Sequence, residues 1–252
     1  MRSMIDVIAS TIASTARFWR GTNAFEPARR QPEQHLELYE FEGCPFCRLA
    51  REAFTELDLD VLIRPTPHGG ERFRPEAIRR GGQKQFPFLV DPNTGTEMYE
   101  SADIVDYLYR TYGERPAPSR LLRPAQVLSS SVTSALRLGA GSRARPSKAP
   151  ERPLELYSFE SSPYARRVRE RMCELELPYL LRSMGKAKWQ DVGPPQIRAA
   201  LFPDLPVEGR NRRALLERTG RVQVPYLIDP NTNTEMFESD DILAYLRATY
   251  AR

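Results

Sequence analysis

The sequence predicts an α/β fold written twice in tandem, and three observations lead there. A Cys-x-x-Cys motif, Cys44-Pro45-Phe46-Cys47, joins a strand-like run to a helix-like run. Long stretches of the chain recur at a fixed offset. Each copy reads as strand, helix, strand, a variable helical segment, then strand, hairpin turn, strand and helix.

In chain order, residues 1–34 form an extension that carries Arg2, Arg17, Arg20, Arg29 and Arg30 with many Ser and Thr and few acids. That composition is similar to an organellar transit segment. Ile5, Ile8, Ile12 and Phe18 also fall near helical spacing, which predicts a structural helix packed on the body. The helix is the reading taken; targeting or membrane-surface contact is the alternative. The first unit, residues 35–113, opens with the strand Leu36-Glu37-Leu38-Tyr39 and a helix that starts within the Cys motif and runs to Phe54. A thiol in a helix's first turn meets unpaired N–H groups and the positive end of the macrodipole, which favour a thiolate. Cys44 is therefore the candidate nucleophile, with a pKa lowered from about 8.5 towards the ~3.5–7.5 range. Cys47, one turn on, is placed to resolve a mixed disulfide on Cys44 or to protect it. Later come the strand Phe88-Leu89-Val90, a turn over 91–95, the strand Glu97-Met98-Tyr99 and a helix capped by Ser101.

The repetition is explicit. Leu36-Glu37-Leu38-Tyr39 recurs as Leu154-Glu155-Leu156-Tyr157, and the Cys motif meets Ser162-Pro163-Tyr164-Ala165, both at an offset of 118. Phe86-Pro87 returns as Val224-Pro225 and Glu100-Ser101 as Glu238-Ser239, at an offset of 138. The second unit, residues 153–252, thus holds 20 extra residues within about 184–220. Gly21 and Gly139, also 118 apart, relate the segments that precede the two units. Each copy is expected to be a compact domain with its own core. Between them, residues 114–152 form a basic, Pro- and Ser-rich linker in which Val127 to Leu138 predicts an amphipathic helix.

Composition narrows the chemistry. A formal net charge of +4 over 252 residues demands no nucleic acid. Three cysteines make no secreted disulfide framework. Zinc would need a second ligand pair, and His35, His68 and Cys173 stand apart, so no metal is expected. No run approaches the ~18 apolar residues of a membrane span, which makes a soluble cytoplasmic protein the expectation. Cys173 reads as a core residue. Arg166, Arg167, Arg169 and Arg171, crowded with Glu170 and Glu174, read as a solvated, charge-paired face.

The Cys motif after a strand, x-Pro before a strand and Glu-Ser before the last helix resemble the thioredoxin fold, specifically the glutaredoxin-like N-terminal domain of glutathione S-transferases. The resemblance covers about residues 35–113 and 153–251. It implies two tandem thioredoxin-like domains, each a four-stranded mixed sheet flanked by helices. It also implies cis peptide bonds at Phe86-Pro87 and Val224-Pro225 that present backbone to the cysteinyl part of glutathione. Glu100-Ser101 and Glu238-Ser239 would hold its γ-glutamyl end. Ser162, in the place of Cys44, or the adjacent Ser161, would activate glutathione in the second unit if that unit is more than a packing partner. The all-helical domain that completes ordinary glutathione transferases has no counterpart here.

The function expected is a glutathione-dependent thiol–disulfide oxidoreductase, with glutathione as co-substrate and a disulfide or glutathionylated thiol as partner. The alternatives are a transferase-like enzyme with glutathione in both units, and a non-catalytic ligand-binding scaffold. Glu40 and Glu42, shortly before Cys44, are expected to oppose thiolate formation.

Overall fold

A computed structural model describes residues 2–118, 123–191, 201 and 205–252. Strands β1 (Leu36–Glu40), β2 (Val61–Pro65), β3 (Phe88–Asp91) and β4 (Thr96–Met98) are followed by their counterparts β5 (Leu154–Ser158), β6 (Tyr179–Ser183), β7 (Tyr226–Asp229) and β8 (Thr234–Phe237). In each half the first two strands run parallel and the later two join antiparallel. That leaves β2 and β6 as apolar edges, and unpaired edges are templates for pairing. They pair with each other, so the sheet is one continuous eight-stranded layer, β4-β3-β1-β2-β6-β5-β7-β8. This corrects the expectation of two separate four-stranded sheets. Leu62 lies opposite Leu180, its own repeat partner, with Val61 opposite Leu181 and Ile63 opposite Tyr179 on either side. A pseudo-twofold axis therefore passes through the Leu62–Leu180 pair.

The core is shared in the same way. Leu36, Leu38, Phe54, Val61 and Ile63 belong to one buried cluster with Leu154, Leu156, Met172, Tyr179 and Leu181, so the two copies do not have independent cores. On this face lie α2 (Pro45–Glu56), α4 (Ser101–Thr111), α6 (Pro163–Glu174) and α8 (Ser239–Tyr250); α3 (Phe73–Gly81) and α7 (Arg210–Thr219) cover smaller clusters on the other. The 118 offset holds through β6, and the 138 offset holds at Gly82 and Gly220, the left-handed caps of α3 and α7. The extra residues thus lie between β6 and α7, where a single 3₁₀ turn, Trp189–Asp191, is described; 192–200 and 202–204 lie outside the described residues.

Helix α1 (Arg2–Ala16) and helix α5 (Arg123–Leu136) are also related by the axis and pack on each other, α1 against α6 and α5 against α2. Residues 1–34 therefore contain a packed helix, but not through the residues expected. Ile5, Ile8, Ile12 and Phe18 are exposed, and Ser10, Ala13 and Ser14 face inward. Small residues let the helices approach closely, and Ser14 Oγ donates to the Ser161 carbonyl at 2.7 Å. The repeat partner of Gly21 is Gly141, not Gly139: each has a left-handed φ, 70° and 71°. A Cβ there would lie 2.7 Å from Glu160 Cβ at Gly21 and 2.8 Å from Glu42 Cβ at Gly141.

Helix α6 is not the solvated face its charges predict. Arg166, Arg167 and Arg169 are buried, because the face that carries them is turned into the junction of the two halves. Cys173 is buried as expected, its sulfur accepting from Glu42 N at 3.4 Å and its thiol donating to Gly141 O at 3.2 Å. The linker cation Arg137 is likewise buried, forking onto Glu170 at 2.6 and 2.7 Å.

The turn over 91–95 folds around Asp91. Its carboxylate accepts from Asn93 N at 2.8 Å, Tyr107 Oη at 2.6 Å and Tyr112 Oη at 2.5 Å; Asp229 repeats this with Asn231, Tyr245 and Tyr250. Burial alone would raise both carboxyls, but the hydrogen bonds outweigh it and hold them below the usual range. Bonds to a charged group contribute about 1.5–3 kcal/mol, so Asp91→Ala should cost about 3 kcal/mol in denaturant unfolding. With depressed folded pKa values, this stabilisation is fully present above about pH 4 and is lost as pH falls through the lower folded value. An acid titration in which wild type and Asp91→Ala converge at low pH checks the sign.

Candidate active site around Cys44

Cys44 is the N-cap of α2: it has extended backbone, Pro45 opens the helix as a proline can, and its sulfur accepts from Cys47 N at 3.3 Å. The thiol lies 4.0 Å from the Phe86 carbonyl. Burial pushes Cys44 up, but hydrogen bonds from the Cys47 thiol and from the N–H groups of Cys47 and Phe46, together with the charge of Arg51, outweigh it and hold the thiol below its ordinary value. Cys47 is the opposite case. It has no exposed surface, and burial, its bond to Cys44 and the nearby negative charge push it well up. One thiol held below its ordinary pKa and one held above it sit a helical turn apart.

The two carboxylates expected to oppose the thiolate are drawn into an ionic cluster, although Cys44 remains among the negative groups that raise Glu40. Glu40 pairs with Arg51, and Glu42 pairs with Arg169 at 2.9 Å and Arg51 at 3.3 Å. Glu160, from the second half, closes the cluster on Arg51 at 2.9 Å and Arg169 at 3.1 Å. Arg51 is thus the cation that acts on Cys44, and it is fixed by acids from both halves.

The peptide bonds Phe86-Pro87 and Val224-Pro225 are both cis. Phe86 packs with Cys44 and Cys47, and the Arg74 guanidinium lies 4.7 Å over its ring. Glu100 and Glu238 each adopt φ 65° immediately before α4 and α8. A left-handed φ is strained for a glutamate, and such strain clusters at ligand sites. Both are held by a glutamine that the sequence reading missed: Gln85 Nε2 donates to Glu100 Oε1, and Gln223 Nε2 donates to Glu238 Oε1 at 2.6 Å. The signal was available, since a Gln precedes each x-Pro at the 138 offset. Glu100 and Ser101 line a cleft with Phe46 and Leu49 of α2 and with Gln126 and Val127 of α5. Helix α2 and the Glu-Ser pair therefore share one cleft, while Cys44 itself is buried and does not line it.

The second half keeps this frame, with Ser162 and Ser239 as buried as Cys44 and Ser101. Ser162 caps α6 as Cys44 caps α2, accepting from Ala165 N at 3.3 Å, and is buried. Ser161 is also buried, bonded to Thr22 Oγ1. Ser239 accepts from Arg167 Nη1 at 3.2 Å, and the same arginine holds Asp240 at 2.7 Å. Leu49 and Ala102 occupy those two places in the first half, so no repeated residue could have revealed this contact.

Among the described residues no group of His, Cys, Asp and Glu could hold a metal, and no helix is long and apolar enough to cross a membrane. The family model for the glutathione S-transferase N-terminal domain matches residues 38–116 and again 156–252. No curated protein and no solved structure gives a match.

The thiol environments set an expected outcome for alkylation. Iodoacetamide labelling of the full chain should show one pH inflection below the ordinary ~8.5, absent in Cys44→Ser and retained in Cys47→Ser. Mass mapping would place the label on Cys44. Labelling that starts only above that pH would contradict the assignment.

Proposed function

The chain belongs to the glutathione S-transferase N-terminal domain family over both repeats, and from that membership we propose that it is a glutathione-dependent thiol–disulfide oxidoreductase acting through Cys44. The observation that carries the reading is a helix-capping thiol with a lowered pKa, on the helix whose Phe46 and Leu49 line one cleft with a strained Glu-Ser pair. Exchange requires an attacking thiolate, and its rate depends on thiolate fraction and leaving group.

In this reading the Cys44 thiolate attacks the glutathione sulfur of a glutathionylated thiol. The substrate sulfur leaves as a thiolate and takes a proton from solvent. A second glutathione, as thiolate, then attacks the glutathione sulfur of the Cys44 mixed disulfide, forming oxidised glutathione and restoring the Cys44 thiolate. The backbone at Phe86-Pro87 positions the cysteinyl part. Glu100 pairs with the ligand's ammonium, and Ser101 with the first turn of α4 receives its carboxylate. Cys47, held as a thiol, is a poor internal nucleophile, so its role is protection of Cys44 rather than each turnover. The Val224-Pro225 and Glu238-Ser239 elements repeat the frame, but Ser162 and Ala165 stand in place of the two thiols and Ser239 is held by Arg167, which favours catalysis in the first half alone. Reduced glutathione is supplied in the cytoplasm, where we place the activity.

The test is turnover of a glutathionylated model peptide with glutathione. Cys44→Ser should fall to the uncatalysed rate, while Cys47→Ser and Ser162→Ala stay near wild type. Gln85→Ala, which frees the Glu100 carboxylate, should raise KM for glutathione roughly tenfold with kcat little changed, the scale of one charged hydrogen bond. No turnover by wild type, with glutathione still bound, would move the protein to the binding scaffold. Conjugation of a model electrophile lost in Ser162→Ala would move it to the transferase.

A further inference from the structure

The ionic cluster at the pseudo-twofold axis is not balanced. Four buried guanidiniums, Arg48, Arg51, Arg166 and Arg169, face three buried carboxylates, Glu40, Glu42 and Glu160. The flanking pairs Arg17–Glu52 and Arg137–Glu170 are neutral and leave that excess unchanged. Glu40 is pushed up to about 8, burial outweighing Arg51, so the positive excess is no smaller at neutral pH.

The excess is located on one symmetric pair. Arg51 and Arg169 spend their N–H groups on Glu40, Glu42, Glu160 and nearby carbonyl and hydroxyl oxygens. Arg48 and Arg166, which are repeat partners, do not. Arg48 reaches Ser134 Oγ only at 3.4 Å, and Arg166 donates through Nη1 to the Ser10 carbonyl at 2.9 Å. Nε and Nη1 of Arg48 and Nε of Arg166 are buried with no acceptor in the protein. Glu160 stands 3.6 Å from Arg48 Nε, beyond good hydrogen-bond distance. Arg48 lies within ion-pair distance of Glu160, and its charge lowers Arg166 more than any other does, which makes the two repeat partners neighbours at the junction. Both side chains are about 2 % exposed, beneath α1 and α5. Buried guanidinium N–H groups without an acceptor are unfavourable, and like charges held together add to that.

We propose that the Arg48–Arg166 junction is a binding site for one small monovalent inorganic anion, chloride being the most available, held by the free N–H groups of the two guanidiniums. One negative charge offsets the excess of four guanidiniums over three carboxylates, and part of the larger excess present where Glu40 is protonated. Each half contributes one arginine, so the anion joins the halves and is independent of the chemistry at Cys44.

The experiment is thermal unfolding of the full chain in sodium chloride exchanged against sodium gluconate at constant ionic strength. Above the dissociation constant, each tenfold rise in chloride should raise the midpoint by about 3–6 °C. Arg166→Met should remove this dependence, with a midpoint in gluconate no lower than wild type. A wild-type midpoint indifferent to chloride, or an equal slope in Arg166→Met, overturns the proposal; an internal water would give the first result. Should that variant fail to fold, wild-type crystals grown in bromide decide the matter. An anomalous peak between Arg48 and Arg166 supports the site, and its absence overturns it.

Discussion

Everything at the centre of the molecule depends on arginines Arg51 and Arg169 being buried and fully met. Each projects from the helix that follows its half's first strand, and each is clamped by Glu42 and Glu160, one acid from either half. Taking such groups out of water costs several kcal/mol per ion, returned only when geometry and hydrogen bonds are close to complete. Here they are nearly complete: Arg169 also donates to Ser158 Oγ and to the carbonyls of Phe159 and Glu160. Removing one acid would strand a buried cation. The cluster therefore specifies which faces of α2 and α6 meet, a direction that apolar contact alone would leave loose.

That same cluster connects the shared sheet to the reactive thiol. Arg51 supplies positive charge at Cys44, yet Arg51 is positioned by Glu160 from the half that has lost the Cys-x-x-Cys motif. The second half keeps its strands, its capping serine at Ser162 and its Glu238 turn, while its hydroxyls are taken up internally. Its contribution to the Cys44 site is electrostatic support delivered through the junction. The acids Glu40 and Glu42, which look adverse when read along the chain, are part of the support because their charge is spent on arginine.

How much of this was legible follows from the range of each interaction. The strands, the Cys44 cap, the x-Pro positions and the Asp91 turn rest on contacts within one copy, and the repeat displays each twice, so sequence reading finds them. The β2–β6 pairing is a contact between copies. Val61-Leu62-Ile63 and Tyr179-Leu180-Leu181 read as ordinary strands, and nothing in either says that its partner is the other. The arginines of α6 misled for the same reason: mixed charge on a helix reads as solvated until the surface opposite carries matching acids. The inward face of α1 misled through size. Ser10, Ala13 and Ser14 look neutral beside three isoleucines, but close approach and hydroxyl bonding decided the orientation.

The pairing Leu62 against Leu180 has a further consequence. In a two-fold interface each residue meets the partner's version of the same surface, so a change on the axis is made twice. A single chain with two copies keeps that geometry and removes the identity requirement. Leu62 on the axis still meets its own repeat partner, Leu180, and the pairs of the cluster beside it remain alike: Arg48 and Arg166, Arg51 and Arg169, Glu42 and Glu160. Away from it the copies diverge, Cys44 against Ser162, Leu49 against Arg167 and Glu40 against Ser158. The last substitution shows what the freedom allows. Glu40 gives Arg51 a carboxylate that Arg169 lacks, Arg169 meeting the Ser158 hydroxyl instead. A pair of identical chains would place the same residue at both positions, so the one-sided Glu40–Arg51 contact is a property that only the duplicated chain can hold.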